Sequence, residues 1–472
     1  MGMAYLCMVL SIAEVASAIS FPGGVYGLAR CMLGFYLGFM AGCCELLEYT
    51  LFVTSCNLAT TQILATRWPI LLSYAPLVWL VNQTLSFGTL LIGRRLFWRF
   101  VLALANLAVV VFLVYYLGAM SVANISLYGG GKDNMFIGGF SKFFTALPVA
   151  SWMFIGIEAL STLSNDLTEP KRLIPKGQVA SMLTLLVLSW CTFMTSISLP
   201  PGATNLSSAV AVMNGGFSSS FNMTEATSTL LSLPAGMSSS PTFALAASNI
   251  LVAMAQSKLV PSQLATTNAR FKRHANALLV VLGVSSGLCF CHLYNARLDT
   301  MVYNMGMIFG FLAHMAHCLG FIHLRWNHSH IKRFFVSPVG IPGAIFAIVA
   351  FALSLVSILF FQDDGYASLL VCVVVLAALS IYYVVYAKHR QVFSADENSL
   401  LFAHIGKFHD LHEPRLTIAR CSKDPHKDEA TIYGMASHLD ASSIDVVLGR
   451  TQLLQRRSPH DPSQTNDQCL VT

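Results

Sequence analysis

Eleven stretches of about 20 mostly apolar residues follow one another along the first 387 positions, each long enough to cross a hydrocarbon layer of about 30 Å. They cover residues 1–19, 34–62, 69–92, 97–119, 142–165, 178–199, 227–256, 276–294, 299–323, 340–361 and 367–387. In lipid, every backbone N–H and C=O must be satisfied inside the spanning structure, which for runs of this length leaves the α-helix. The reading is an all-α polytopic membrane protein with about 11 transmembrane helices. Composition agrees: 55% of the 472 residues are hydrophobic and 11% are charged, where a soluble domain carries roughly 25% charged residues.

The formal net charge of +6 does not point to nucleic acid, because the cations sit in short clusters between apolar runs. Arg30, then Arg94, Arg95 and Arg99, then Lys171, Arg172 and Lys176, then Lys258, Arg270, Lys272 and Arg273, then Arg325, Lys332 and Arg333, and finally Lys388 and Arg390 fall on one side. By the positive-inside rule that side is cytoplasmic, and the C-terminus with it. The acceptor sequons at Asn124, Asn205 and Asn222 fall in the opposite loops. An odd number of spans then puts the N-terminus outside. The plasma membrane is favoured over an internal one.

The span over 142–165 is unusual. Gly156 and Glu158 interrupt it, and it leads into the charged, proline-marked sequence from Glu169-Pro170-Lys171-Arg172 to Gly177. A carboxylate at membrane depth is costly unless paired or hydrated, and broken helices are tolerated there only where the freed backbone lines a cavity. The segment therefore reads as a discontinuous helix carrying half of a transport site. Its unpaired N–H groups near Glu158 can face an anion and the carbonyls of Phe154 and Ile155 an ammonium group. Trp152 and Phe154 offer a cation-π surface. Glu158 can hold a proton, pair with a neighbouring helix or bind backbone groups freed by the break.

Two further pairs lie within spans. Glu45 and Glu48, three apart, share a helix face; their repulsion calls for a cation or a shared proton, which favours an amine substrate unless one of them is solvated. His314 and His317 also share a face, as a proton relay or as packing residues. Metal chemistry is not expected: Cys289, Cys291 and His292 are too cramped for tetrahedral zinc, and the other cysteines read as small apolar residues. With no cofactor motif and no nucleophile–base set, an enzyme is not expected either. The domain reading is a transmembrane unit over 1–387 and a polar, largely disordered cytoplasmic tail over 388–472.

The run Ala13-Glu14-Val15-Ala16-Ser17 leading to Pro22-Gly23-Gly24-Val25-Tyr26-Gly27, the Phe154-Ile155-Gly156-Ile157-Glu158 break and the Glu169-Pro170-Lys171-Arg172 exit resemble the amino acid-polyamine-organocation transporter superfamily. Gly42-Cys43-Cys44-Glu45-Leu46-Leu47-Glu48-Tyr49 and Ala255-Gln256-Ser257-Lys258, followed by Asn268-Ala269-Arg270, are most similar to its ethanolamine permease-like branch. The resemblance implies two inverted five-helix repeats with discontinuous first and sixth helices, of which the first is missing here. It also implies a gating aromatic at Trp152, substrate contacts at Phe154, Ile155 and Gly156, and no cofactor. The expected activity is proton-coupled transport of an amino acid or ethanolamine-like amine, with Glu158 and His314 as proton carriers. The alternative is a non-transporting sensor or scaffold.

Overall fold

Helix α3, Phe35–Arg67, is buried around most of its circumference, and the rest of the bundle assembles on it. A computed structural model describes residues 1–394 and 397, apart from 22, 132–137, 207–210, 268–273, 296 and 363–365. The tail from 398 onward, Pro22 and Asn268-Ala269-Arg270 thus lie outside the described residues. The described residues form one compact unit.

Around α3 the chain runs α1 Gly2–Ala18, α2 Val25–Met32, then α4 Ala75–Ile92, α5 Arg94–Ala119, α6 Gly139–Ala146, α7 Pro170–Ile197, α8 Leu233–Gln256, α9 Ala275–His292, α10 Leu298–Asn327, α11 Gly340–Phe361 and α12 Ala367–Tyr382. Short helical turns fill several of the connections. Helices α8 and α10 flank α3, while α1 packs against α7, α10 and α11. Two large apolar cores result, with two smaller clusters around Tyr115 and Trp79. One joins α1, α10 and α11 around Met8, Phe309, Phe321 and Phe351; the other joins α8 and α9 around Ile250, Val281 and Tyr383. Large apolar side chains also cover the outside, among them Leu113 on α5, Trp190 on α7 and Val374 on α12, as expected where the surrounding solvent is lipid.

Eight described helices are long and apolar enough to cross a membrane, not eleven. The three other expected spans are helical, but each departs for a physical reason. Helix α1 has 17 residues. Helix α8 carries Ser238, Ser239, Ser240 and Pro241, which dilute its apolar character. The span at 142–165 is broken. The exit from Pro170 to Gly177 is no loop: Pro170 opens α7, where its missing N–H is no loss.

Polar residues inside spans find one another. Asn82, which interrupts the third apolar run, donates to Asn57 Oδ1 at 2.6 Å. Gln83 accepts from the Ser286 hydroxyl on α9. Each such contact removes the penalty of an unpaired polar group in a dry interior.

Candidate functional site

The break opens earlier than Gly156. Helix α6 ends at Ala146, Pro148 follows, a single 3₁₀ turn covers Val149–Ser151, and Glu158–Asp166 continues as 3₁₀ helix rather than α-helix. Gly156 adopts φ +94, a backbone conformation costly for residues with a Cβ. A Cβ there would also meet the Phe243 ring at 3.1 Å.

Backbone freed by this break is re-satisfied by side chains from other helices, the condition for irregular backbone at membrane depth. Ser357 donates to the Phe144 carbonyl and Gln362 donates to Thr145 O at 3.0 Å. The Tyr303 hydroxyl reaches Pro148 O at 3.3 Å, and Asn249 reaches Thr162 O at 3.2 Å. On the donor side, Gly156 N–H gives its hydrogen bond to Glu158 Oε1 at 3.0 Å. The carboxylate thus turns back onto its own broken helix.

Glu158 also meets α3. The Tyr49 hydroxyl lies 3.2 Å from Glu158 Oε1 and 3.2 Å from Glu45 Oε1. A phenol carries one proton and donates to one acceptor well; the second contact is best satisfied when that carboxyl is protonated and donates to the phenol oxygen.

Helices α3 and α10 then match turn for turn. His317 Nε2 lies 3.7 Å from Glu45 Oε1, and His314 Nε2 lies 3.8 Å from Glu48 Oε1. Tyr5 on α1 places its hydroxyl 3.3 Å from His314 Nε2. Ligand atoms of Glu48, Glu158 and His314 all fall within 4.8 Å of one another, close enough to share a proton or enclose a small cation. Glu48 Oε2, Glu158 Oε2 and both ring nitrogens of His317 are buried without a hydrogen-bond partner. Such atoms are expensive to leave unpaired in a dry interior, and a proton or a small cation held among them would offset that cost.

Aromatic rings pack beside this cluster. Trp152, 42% exposed, stands edge-on to Phe52 with ring centroids 5.5 Å apart and lies 5.3 Å from Tyr303. Phe243 stacks on Tyr49 at 5.9 Å, and Phe154 stacks on Tyr5 at 5.7 Å. Ile155 is half-buried against the α1–α10 core. All eight site residues expected from the sequence, Glu45, Glu48, Trp152, Phe154, Ile155, Gly156, Glu158 and His314, therefore belong to one region formed by α3, the broken segment and α10.

Tyr5, Tyr49, Phe52, Phe243, Gly24, Val25 and Gly310 take part in the site without a role assigned to them from the sequence. Gly24 and Gly310 seat the carboxylates: a Cβ at either would lie 2.5 Å from a carboxylate oxygen, of Glu45 and Glu48 respectively. Val25 N–H, at the start of α2, donates to Glu45 Oε2 at 2.7 Å. Glu14 on α1, fully buried, accepts from Arg325 at 3.0 and 2.7 Å, from Arg333 at 2.9 Å and from Ser337 N–H at 2.7 Å. An acidic residue in an apolar run was the available signal for Glu14; the glycines gave none.

A family model described as amino acid permease matches residues 1–390. An uncharacterized transporter of Rhizobium meliloti (strain 1021) is 24% identical over 216 residues, 42% of this chain and 44% of that protein. A branched-chain amino acid permease of Bacillus subtilis (strain 168) is 25% identical over 212 residues, 42% of this chain and 46% of that protein. The alignments thus span less than half the length of these curated relatives. The family match takes in both cores, the broken segment and the carboxylate–histidine cluster, and this multi-pass membrane chain belongs to the amino acid permease family.

Proposed function

We propose that the chain is a secondary transporter of a small amine-bearing solute, an amino acid or an ethanolamine-like amine, working by alternating access and coupled to protons. The observation that carries this reading is the meeting of Glu158, on the broken segment, with Glu45, Glu48 and His314 in a closed, dry cluster beside aromatic rings. Three carboxylates held together favour occupancy by positive charge, supplied either by a proton or by an ammonium group. An amine entering past Trp152 meets π faces first and carboxylates next. Its arrival displaces a shared proton, and that exchange is the coupling step. Alternating access then proceeds by rocking of inverted five-helix repeats around the broken segment.

In this reading residues 1–387 are the transmembrane unit and 388–472 a cytoplasmic tail, with the cation-rich side facing the cytosol of a plasma membrane. The test is uptake of radiolabelled amines and amino acids into proteoliposomes under an imposed pH gradient. Glu158→Gln keeps an acceptor for Gly156 N–H but cannot release a proton, so uptake by this variant should lose its dependence on the gradient. Unchanged uptake and pH profile in the variant would refute the coupling. Binding of substrate without uptake by the native chain would favour the sensor.

A further inference from the structure

Helix α7 changes character along its first four turns. Lys171, Arg172 and Lys176 project from its beginning and are exposed, while Val179 and Leu183 on the same side belong to the apolar run that follows. Together with Phe334 from the connection between α10 and α11, they line a groove of about 560 Å³, within the range of small-molecule sites, about 300–1,000 Å³. Leu183 lies roughly 10 Å further along the helix than Lys176, at 1.5 Å per residue. The groove thus has a cationic mouth and an apolar floor running toward the hydrocarbon.

Charge collects at the mouth. The Arg172 guanidinium stands 5.0 Å from the Phe334 ring centroid and the Lys332 ammonium 5.7 Å. Glu169 contacts Arg172 at 3.6 Å with both side chains more than half exposed, a geometry in which solvent screens most of the attraction. Among the described residues Lys171, Lys176 and Lys332 make no ion pair. Glu14 is committed to Arg325 and Arg333 instead.

We propose that this groove is a binding site for an anionic phospholipid of the adjoining leaflet. Its phosphate lies among Lys171, Arg172 and Lys176, and an acyl chain lies along Val179 and Leu183. Basic pockets at the end of a spanning helix select anionic headgroups by charge. A free phosphate would match the mouth but leave the floor uncovered, and a zwitterionic lipid would cover the floor without neutralising the mouth. The far wall of the groove is tied to α1, since the Ser17 hydroxyl donates to Phe335 O at 3.0 Å and Arg333 pairs with Glu14. A bound lipid therefore braces α7 against α1.

The test uses the full chain in detergent and needs no transport, so its outcome is independent of the coupling proposed above. Thermal unfolding is followed while phosphatidylglycerol, phosphatidylcholine or inorganic phosphate is added. Phosphatidylglycerol should raise Tm in a saturable way and the other two should not. The triple variant Lys171→Gln, Arg172→Gln, Lys176→Gln should bind phosphatidylglycerol on the order of a hundredfold more weakly, with its lipid-free Tm unchanged. Val179→Trp, which fills the floor and leaves the cations in place, should also weaken binding and serves if the triple variant fails to fold. An equal response to phosphatidylcholine, reproduction of the shift by phosphate alone, or full phosphatidylglycerol binding by either variant would overturn the proposal.

Discussion

Glu45 and Glu158 meet through a single phenol: the Tyr49 hydroxyl stands 3.2 Å from an oxygen of each. Two carboxylates from different elements thus share one side-chain donor, beside the backbone N–H of Val25 that Glu45 accepts from and the N–H of Gly156 that Glu158 accepts from, in a region closed to water. Tyr49→Phe should lower stability in detergent by about 1–3 kcal/mol, the usual cost of stranding a buried acceptor. In a Glu45→Gln background the loss should be smaller, because the amide restores a donor. A double-mutant cycle by denaturant unfolding measures the difference, and additive losses would show that the three groups are not coupled.

Charge at α3 should decide between ligands. Glu45→Gln together with Glu48→Gln removes two of the three clustered carboxylates and should weaken binding of a simple amine more than that of a zwitterionic amino acid, whose own carboxylate the native cluster repels. Competition binding with ethanolamine against a neutral amino acid reads this directly. The opposite ranking would place the amine elsewhere.

Gly310 makes room for the Glu48 carboxylate, so Gly310→Ala should act on the site rather than on the fold. The new methyl would lie 2.5 Å from Glu48 Oε1 and must push that side chain aside. The expected result is amine affinity reduced about as far as in Glu48→Gln, with helix content by circular dichroism unchanged. Wild-type affinity in this variant would mean that Glu48 does not face the ligand.

Glu14 neutralises two arginines at once. Removing one partner of a buried ion pair typically costs about 3–5 kcal/mol, and partial exposure of Arg325 and Arg333 (22% and 12%) places Glu14→Ala near the lower end. Glu14→Gln should lose less, since it still accepts from Ser337 N–H. Thermal unfolding in detergent separates the two variants.

Arg30 and Glu397 form a buried pair at 3.0 Å that holds the segment after α12 against α2, with Val392 O and Ser257 as further partners. Beside it, burial first and then Glu397 push the Cys31 thiol up to about 11, against the opposing effect of Arg30. A raised thiol pKa leaves the neutral, unreactive form dominant below it, so at pH 8 roughly one thiol in a thousand is thiolate. Alkylation of Cys31 should therefore rise about tenfold per pH unit between pH 8 and 10. Glu397→Gln should speed it at fixed pH. The assay needs Cys191, Cys291, Cys421 and Cys469 replaced by Ser. A flat pH profile would show that half-burial and Glu397 do not hold the Cys31 thiol in its neutral form.

Much of the architecture was legible because run length and helix periodicity are local properties. The boundaries of α9, α10 and α11 fall within a few residues of the expected spans. The count of clear spans was less legible. Whether Ser238–Ser240 or Gly156 interrupts a span depends on what the neighbouring helices supply, and Ser357, Gln362, Tyr303 and Asn249 supply it here from far along the chain. Residue types at the site could be named singly, since a carboxylate or imidazole in an apolar run is conspicuous. Glycines that seat a carboxylate are not, because their role exists only through the side chain that approaches them.

The sequence by itself determined that this chain spans a membrane as helices, that the span holding Gly156 and Glu158 is interrupted, and that Glu45, Glu48, Glu158, His314 and His317 need partners inside a low-dielectric medium. Tertiary structure alone decided that they are each other's partners. Helical periodicity places Glu45 with Glu48 and His314 with His317 on their own helices, but the register between α3 and α10, set by side-chain packing along both, brings the two pairs face to face. The same packing sets Glu158 of the broken segment against Tyr49. Contacts between residues more than a hundred positions apart have no signature in either stretch alone, which is why the cluster emerges only from the fold.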